Sequence, residues 1–190
     1  MAMSATEILV DEHRLIMRMV NVLTTLHRRL QNGDAVNANI LADIVDFFRM
    51  FADKGHHAKE EDILFPTLER HGVSPQGCPI GGLKSEHKQA RMLMTTLSDA
   101  IVKYKAGDPT ARKTIATITK TAIDLYKDHI WREDYLLFPM SEKVLQKPEL
   151  EEVAKSYSEV EKKFGADFRA KYELLVNALE KATNANQKGA

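Results

Sequence analysis

The sequence predicts an all-α protein: an antiparallel, up-down-up-down four-helix bundle followed by a C-terminal accessory helix. Three observations predict it. Glycine and proline are rare, nine and six in 190 residues, and they gather at a few breaks. Between the breaks, apolar residues recur three or four apart with charges among them, and no segment alternates with period two. The first two helical segments also reappear as the third and fourth, at an offset of 73 or 74 residues.

The elements follow in order. A first helix is expected at about 5–31, on a stripe of Leu9, His13, Ile16, Val20 and Leu23, and it ends at Gln31-Asn32-Gly33-Asp34. A second, at 36–70, starts on Leu41, Val45, Phe48 and Ala52. The stretch from His71 to Leu83 holds Gly72, Pro75, Gly77, Pro79, Gly81 and Gly82 and separates two helical hairpins. A third helix, at 82–106, carries Leu83, Ala90, Met94, Leu97 and Ile101; it stops at Ala106-Gly107-Asp108-Pro109. The fourth, at 109–146, carries Ile115, Ile118, Ala122 and Leu125. The fifth, at 149–182, starts after Pro148 in the favoured first-turn position and bears Val153, Tyr157, Val160, Phe164, Phe168, Tyr172, Leu175 and Leu179. Gly165 interrupts it, so it is no long coiled coil, and covering the bundle is favoured over a homodimer or partner surface. The division is therefore residues 1–146 as the bundle, 147–182 as the accessory helix and 183–190 as a disordered tail.

Composition excludes several classes of function. Lys+Arg and Asp+Glu are both 27, so the formal charge is zero, which argues against a nucleic-acid binder. No stretch approaches the roughly 18 uncharged apolar residues of a membrane span. The N-terminus reaches Asp11, Glu12 and His13 before a signal-peptide apolar region could form, so a cytoplasmic protein is expected. Cys78 is alone, in the linker between hairpins, where an inert exposed thiol is the favoured reading.

The repeat carries the chemistry. His56-His57-Ala58-Lys59-Glu60-Glu61-Asp62-Ile63-Leu64-Phe65-Pro66 resembles His129-Ile130-Trp131-Arg132-Glu133-Asp134-Tyr135-Leu136-Leu137-Phe138-Pro139, and Glu12-His13-Arg14 falls on Glu86-His87-Lys88. About 20 residues run from His13 to the turn at Gly33, roughly 30 Å of helix, and about 22 return to His56. The other hairpin has nearly the same arms, so His13, His56, His87 and His129 stand at one height of the bundle. His56 shares its row with Phe48, Ala52 and Glu60, whereas His57 shares its row with Arg49, Asp53 and Glu61, a wetter face. His56 with Glu60 is therefore expected to point inward, and His57 and Glu61 to be solvated neighbours. His27 and His71 are expected on the surface. Trp131 and Tyr135 flank the fourth-helix residues and are expected to pack in the core or on the surface.

His13, His56, Glu60, His87, His129 and Glu133 are the candidate metal ligands. Two His-x-x-x-Glu pairs stack an imidazole over a carboxylate on a helix face, and two more histidines face them. Burying such groups without partners would cost several kcal/mol per ion, and cations remove that cost. Four nitrogens and two bridging carboxylates supply about eight coordination bonds of the roughly twelve that two octahedral metals need. Exogenous ligands have room, and mixed nitrogen–oxygen ligation in a bundle suits iron or manganese.

Glu-His near the start of helices one and three, with His-x-x-x-Glu and Leu-Phe-Pro in helices two and four, resembles the hemerythrin-like (HHE cation-binding) family over about residues 5–145. The resemblance implies a non-haem di-iron centre, oxo- or hydroxo-bridged, on the same six residues. Oxygen-carrying hemerythrins add a histidine four residues after the third-helix ligand, where this chain has Arg91, and use a longer His-to-carboxylate step in the second hairpin. Both departures point away from reversible oxygen carriage. They point toward binding O2, NO or peroxide for sensing, detoxification under oxidative or nitrosative stress, or iron handling. The alternative is a metal-dependent regulatory protein whose bundle is ordered by iron for a partner. No nucleophile–base pair or phosphate loop suggests a hydrolase or transferase.

Overall fold

In the computed structural model, which describes residues 3–185, six helices and no strand are found among the described residues. They are α1 (Ala5–Asn32), α2 (38–70), α3 (Ile80–Lys105), α4 (111–144), α5 (Lys147–Lys162) and α6 (Phe168–Ala185). The first four form the expected antiparallel bundle, and among the described residues no helix is long and apolar enough to cross a membrane. Ser4 caps α1 in a reciprocal capping box with Glu7, worth about 1 kcal/mol. Gly33 ends it at φ 90°, in the left-handed region where glycine carries no Cβ penalty.

Two features differ from the expectation. The accessory helix is a hairpin, because the chain turns over at Gly165 (φ 87°) and continues as α6. The apolar stripe still faces inward on both arms: Val153, Tyr157, Val160, Tyr172, Val176 and Leu179 are buried, so the hairpin covers the bundle. The helix also runs on past residue 182 to Ala185, with Thr183 buried and its hydroxyl donating to the Leu179 carbonyl. The rest of the expected tail, residues 186–190, lies outside the described residues.

Helices α2 and α4 widen into π-type turns, with hydrogen bonds five residues apart, over Phe48–His57, Glu60–Leu64 and Glu133–Leu137. Such turns are rare and gather at functional sites. Two of them immediately precede Phe65-Pro66 and Phe138-Pro139, where proline has no N–H to continue the α-helical ladder. The core divides around the same level. A large apolar cluster including Val20, Leu23, Phe48 and Tyr126 fills one end, and Leu9, Leu64, Phe65, Leu137, Phe138 and Tyr157 fill the other. Between them lies a buried polar layer.

Candidate metal centre

All six predicted residues meet in that layer. His13 comes from α1, His56 and Glu60 from α2, His87 from α3, and His129 and Glu133 from α4; each is buried. The Nε2 atoms of His13 and His56 are 3.0 Å apart. Glu133 lies between the two sets of histidines, 3.1 Å from His13 Nε2 through one oxygen and 3.1 Å from His129 Nε2 through the other. Glu60 also spans them, 3.4 Å from His87 Nε2 and 3.8 Å from His56 Nε2. Both carboxylates therefore lie between the two sets of imidazoles.

The histidines are aimed by a closed ring of carboxylates. Four carboxylates, each adjacent in sequence to a candidate ligand, accept from the Nδ1–H of a histidine on another helix. Glu12 of α1 holds His56 (3.0 Å), Glu61 of α2 holds His87 (2.6 Å), Glu86 of α3 holds His129 (2.9 Å) and Asp134 of α4 holds His13 (2.7 Å). With Nδ1–H committed outward, Nε2 is left to face the centre, the arrangement that raises ligand basicity at metal sites. The two phenylalanines of the Leu-Phe-Pro motifs complete the mounting: Phe65 stacks on His87 at 6.0 Å and Phe138 on His13 at 5.5 Å.

His57 is not solvated. It is 1% exposed and stacks on His87 with ring centroids 3.8 Å apart, and it groups with His87 and His129 as a candidate metal-holding set. Two features turn it inward. It ends the long π-type segment of α2, where adjacent residues share a face more closely than in an α-helix. The charges that made its row look wet also pair with one another. Arg91 of α3 donates to Asp53 at 2.7 Å and to both oxygens of Glu61 at 3.0 Å, while Asp53 accepts from His57 Nδ1 at 3.3 Å. This group breaks the internal symmetry. The repeat places Ile130, Tyr126 and Met17 where the first half and its partner have His57, Asp53 and Arg91. The layer thus holds three imidazoles on one side and two on the other.

Electrostatics show what the layer lacks. Burial would lower the His13 pKa, but the hydrogen bond to Asp134 and the neighbouring Glu133 carboxylate carry it up to about 10. A proton between His13 and His56 then stands where a cation could. Burial lowers His56 to about 4, with the His13 charge adding to it against Glu12, and it holds His57 well below its usual value, with His87 and His129 adding to it. Glu60 is pushed up by burial and then by Glu133, whereas Glu133 is held down against burial by His129, His13 and His87. Both oxygens of Glu60, both of Glu133, and Nε2 of His87 and His129 are buried without a hydrogen-bond partner. Six orphaned atoms converging on one point are what a metal pair would satisfy. The donor set of imidazoles and carboxylates fits a divalent transition-metal ion, iron among them.

Other residues fall outside the expectation or complete it. His27 is buried rather than exposed, because its row holds Leu23 and Leu30, and its Nδ1 donates to Thr119 Oγ1 at 3.0 Å. His71 pairs with Glu149 at 2.8 Å near the surface. Trp131 and Tyr135 are exposed and lie side by side with tilted rings, centroids 5.6 Å apart, and Cys78 is an exposed free thiol. Lys59, which the sequence did not single out, is 1% exposed. Its ammonium joins Glu12 of α1 to Glu161 of α5, the latter at 2.6 Å. The four ring carboxylates were readable in the repeat, since Glu12 aligns with Glu86 and Glu61 with Asp134.

Comparison with known proteins agrees with this geometry. The chain is similar to two curated relatives, "Uncharacterized protein Rv1995" of Mycobacterium tuberculosis and "Uncharacterized protein Mb2018" of Mycobacterium bovis. Each is 29% identical over 163 residues, covering 85% of this chain and 63% of the relative. The chain therefore spans less than two thirds of the length of the relatives it matches. No solved structure matches it. Residues 4–141 match the model of the hemerythrin HHE cation-binding domain. With that domain over most of its length and its buried His/Glu layer at the level of the four helices, the chain belongs to the hemerythrin HHE cation-binding family.

Proposed function

We propose that the chain is a non-haem di-iron protein that binds a small oxidant, such as O2, NO or peroxide, for sensing, detoxification or iron handling. The observation that carries this reading is the set of inward-aimed imidazoles around two glutamates whose four oxygens have no other partner. His57, His87 and His129 would hold one iron, His13 and His56 the other, and Glu60 and Glu133 would bridge them. Such a pair, when bound, supplies one-electron redox chemistry and a coordination position open to a small molecule.

The residues themselves do the rest. The ring of Glu12, Glu61, Glu86 and Asp134 keeps each Nδ1 protonated and each Nε2 turned inward. Arg91 cannot ligate, since a guanidinium has no acceptor lone pair. It holds instead Asp53 and Glu61, which orient His57 and His87. His57 would thereby stand in for a histidine at the Arg91 position, and the His13–His56 side would offer a metal fewer protein donors. The apolar clusters above and below keep bulk water from the layer.

The test is elemental analysis of protein expressed with ample iron, joined to an absorption spectrum. About two irons per chain, a near-ultraviolet charge-transfer band, and perturbation of the ferric spectrum by azide are expected; one zinc per chain with a silent spectrum would overturn the assignment. A regulatory role has one observation of its own. Lys59 ties Glu12, the partner of His56, to Glu161 of the C-terminal hairpin. Metal that changed only melting temperature, with no redox response, would favour that reading.

A further inference from the structure

We propose that Tyr157 is the hydrogen-bond donor for the small ligand entering the dimetal pocket, so that the C-terminal hairpin, outside the matched family domain, completes the site. This rests on the di-iron reading above and names the residue that would hold its exogenous ligand.

Among the described residues, seven buried side-chain nitrogen and oxygen atoms have no hydrogen-bond partner. Six are the glutamate oxygens and histidine nitrogens of the metal layer. The seventh is the Tyr157 hydroxyl, on a side chain 1% exposed. A buried hydroxyl without a partner is destabilising, and in native proteins such groups usually meet water or a ligand. Tyr157 enters from α5 on the face that also carries Val153 and Val160, and Glu161, one turn on, is bound by Lys59. Lys59 Nζ lies 5.8 Å from the Tyr157 ring centroid. Burial, then Glu60 and Glu12, hold the phenol well above its usual pKa, so it stays a protonated donor.

Lys59 says which side of the layer the ring lies on. The ammonium beside the Tyr157 ring also binds Glu12, and Glu12 supports His56. The ring therefore lies on the two-imidazole side, the one with fewer protein donors. A cleft of about 330 Å³ at the α5–α6 turn has Glu12 and Lys59 in its wall.

The experiment compares the full-length protein with Y157F, both iron-loaded and oxidised, with azide as probe. Y157F is expected to keep two irons per chain. Its azide affinity should fall about tenfold, the loss of one hydrogen bond to a charged ligand. The azide stretching band should shift between H2O and D2O in the parent protein and not in Y157F. In the metal-free state Y157F should melt at the same temperature or higher, because the hydroxyl it loses has no protein partner. Equal azide affinity and equal isotope shift would overturn the proposal, as would a marked drop in metal-free melting temperature. If the parent protein took up no iron, the di-iron reading would fail and this proposal with it. A parent that binds two irons and azide while Y157F is indifferent would sink this proposal alone.

Discussion

Replacing His57 by leucine separates ligation from folding. The imidazole is neutral and fully buried, so leucine can occupy its volume without leaving a charge behind. Leucine replaces the ring contact with His87 by apolar packing, and the lost hydrogen bond is the 3.3 Å one to Asp53, worth about 1 kcal/mol. Asp53 keeps its 2.7 Å bond to Arg91, so no carboxylate is orphaned. Metal-free stability should therefore change by no more than about 1 kcal/mol in either direction. Metal binding should respond far more. Losing an outer partner of a ligand weakens binding about 10–100-fold, and losing a ring nitrogen from the three-imidazole side should reach at least the upper end, about 2.8 kcal/mol. Anaerobic titration with ferrous iron, followed by elemental analysis after desalting, should show about one tightly held metal per chain rather than two. Two metals held with unchanged affinity would show that His57 packs beside the site without ligating, and the reasoning from its stacking and symmetry-breaking would be wrong.

Further outcomes follow from the same geometry. Arg91→Met, which copies the residue at the equivalent place in the first hairpin, should loosen Asp53 and Glu61 together and weaken metal binding about 10–100-fold without abolishing it; isothermal titration checks this. Metal-free stability should be bounded on both sides in pH. His13, raised to about 10, contributes stability that is complete below its ordinary 6.5 and lost as pH climbs through 10. His56, lowered to about 4, destabilises the fold as pH falls from 6.5 to 4, and Glu61, lowered to about 2, loses its contribution as pH drops from 4.5 toward 2. Denaturant midpoints measured from pH 3 to 10 should trace that dome, and a flat profile would contradict the assigned protonation states. Iron loading must displace the His13 proton, so apparent affinity should rise with pH across the neutral range.

The repeat made the bundle and six residues of the buried layer legible, because an offset of 73 or 74 aligns chemistry and apolar facing at once. A fixed 100° step per residue puts His57 on the wrong face, because the turns of its segment are wider. Arg49, Asp53 and Glu61 make its row look solvent-facing, whereas Asp53 and Glu61 are paired by Arg91 from another helix, information a single helix wheel does not contain. The inward position of His27 is legible, since Leu23 and Leu30 mark its side of the helix as core. The break at Gly165 was visible as an interruption. That it reverses the chain into a second covering arm depends on where α5 meets α1, which periodicity cannot supply.

The widened turns of α2 bear on how this site can vary between relatives. In an ordinary helix, adding or deleting one residue rotates everything beyond it and spoils the packing of the far end. A helix that already carries a surplus residue in its turns from Phe48 to Leu64 has a local place to absorb such a change. Deleting one residue there, with one wide turn tightened, would leave Leu41 and Val45 on one side and Leu68 on the other in their present packing. Between them it would change which of two consecutive histidines meets α3. The number of imidazoles at the centre is thus adjustable by local backbone slippage, independently of the scaffold. Loops or side-chain substitutions need not be the only route by which ligand-rich and ligand-poor versions of one bundle diverge.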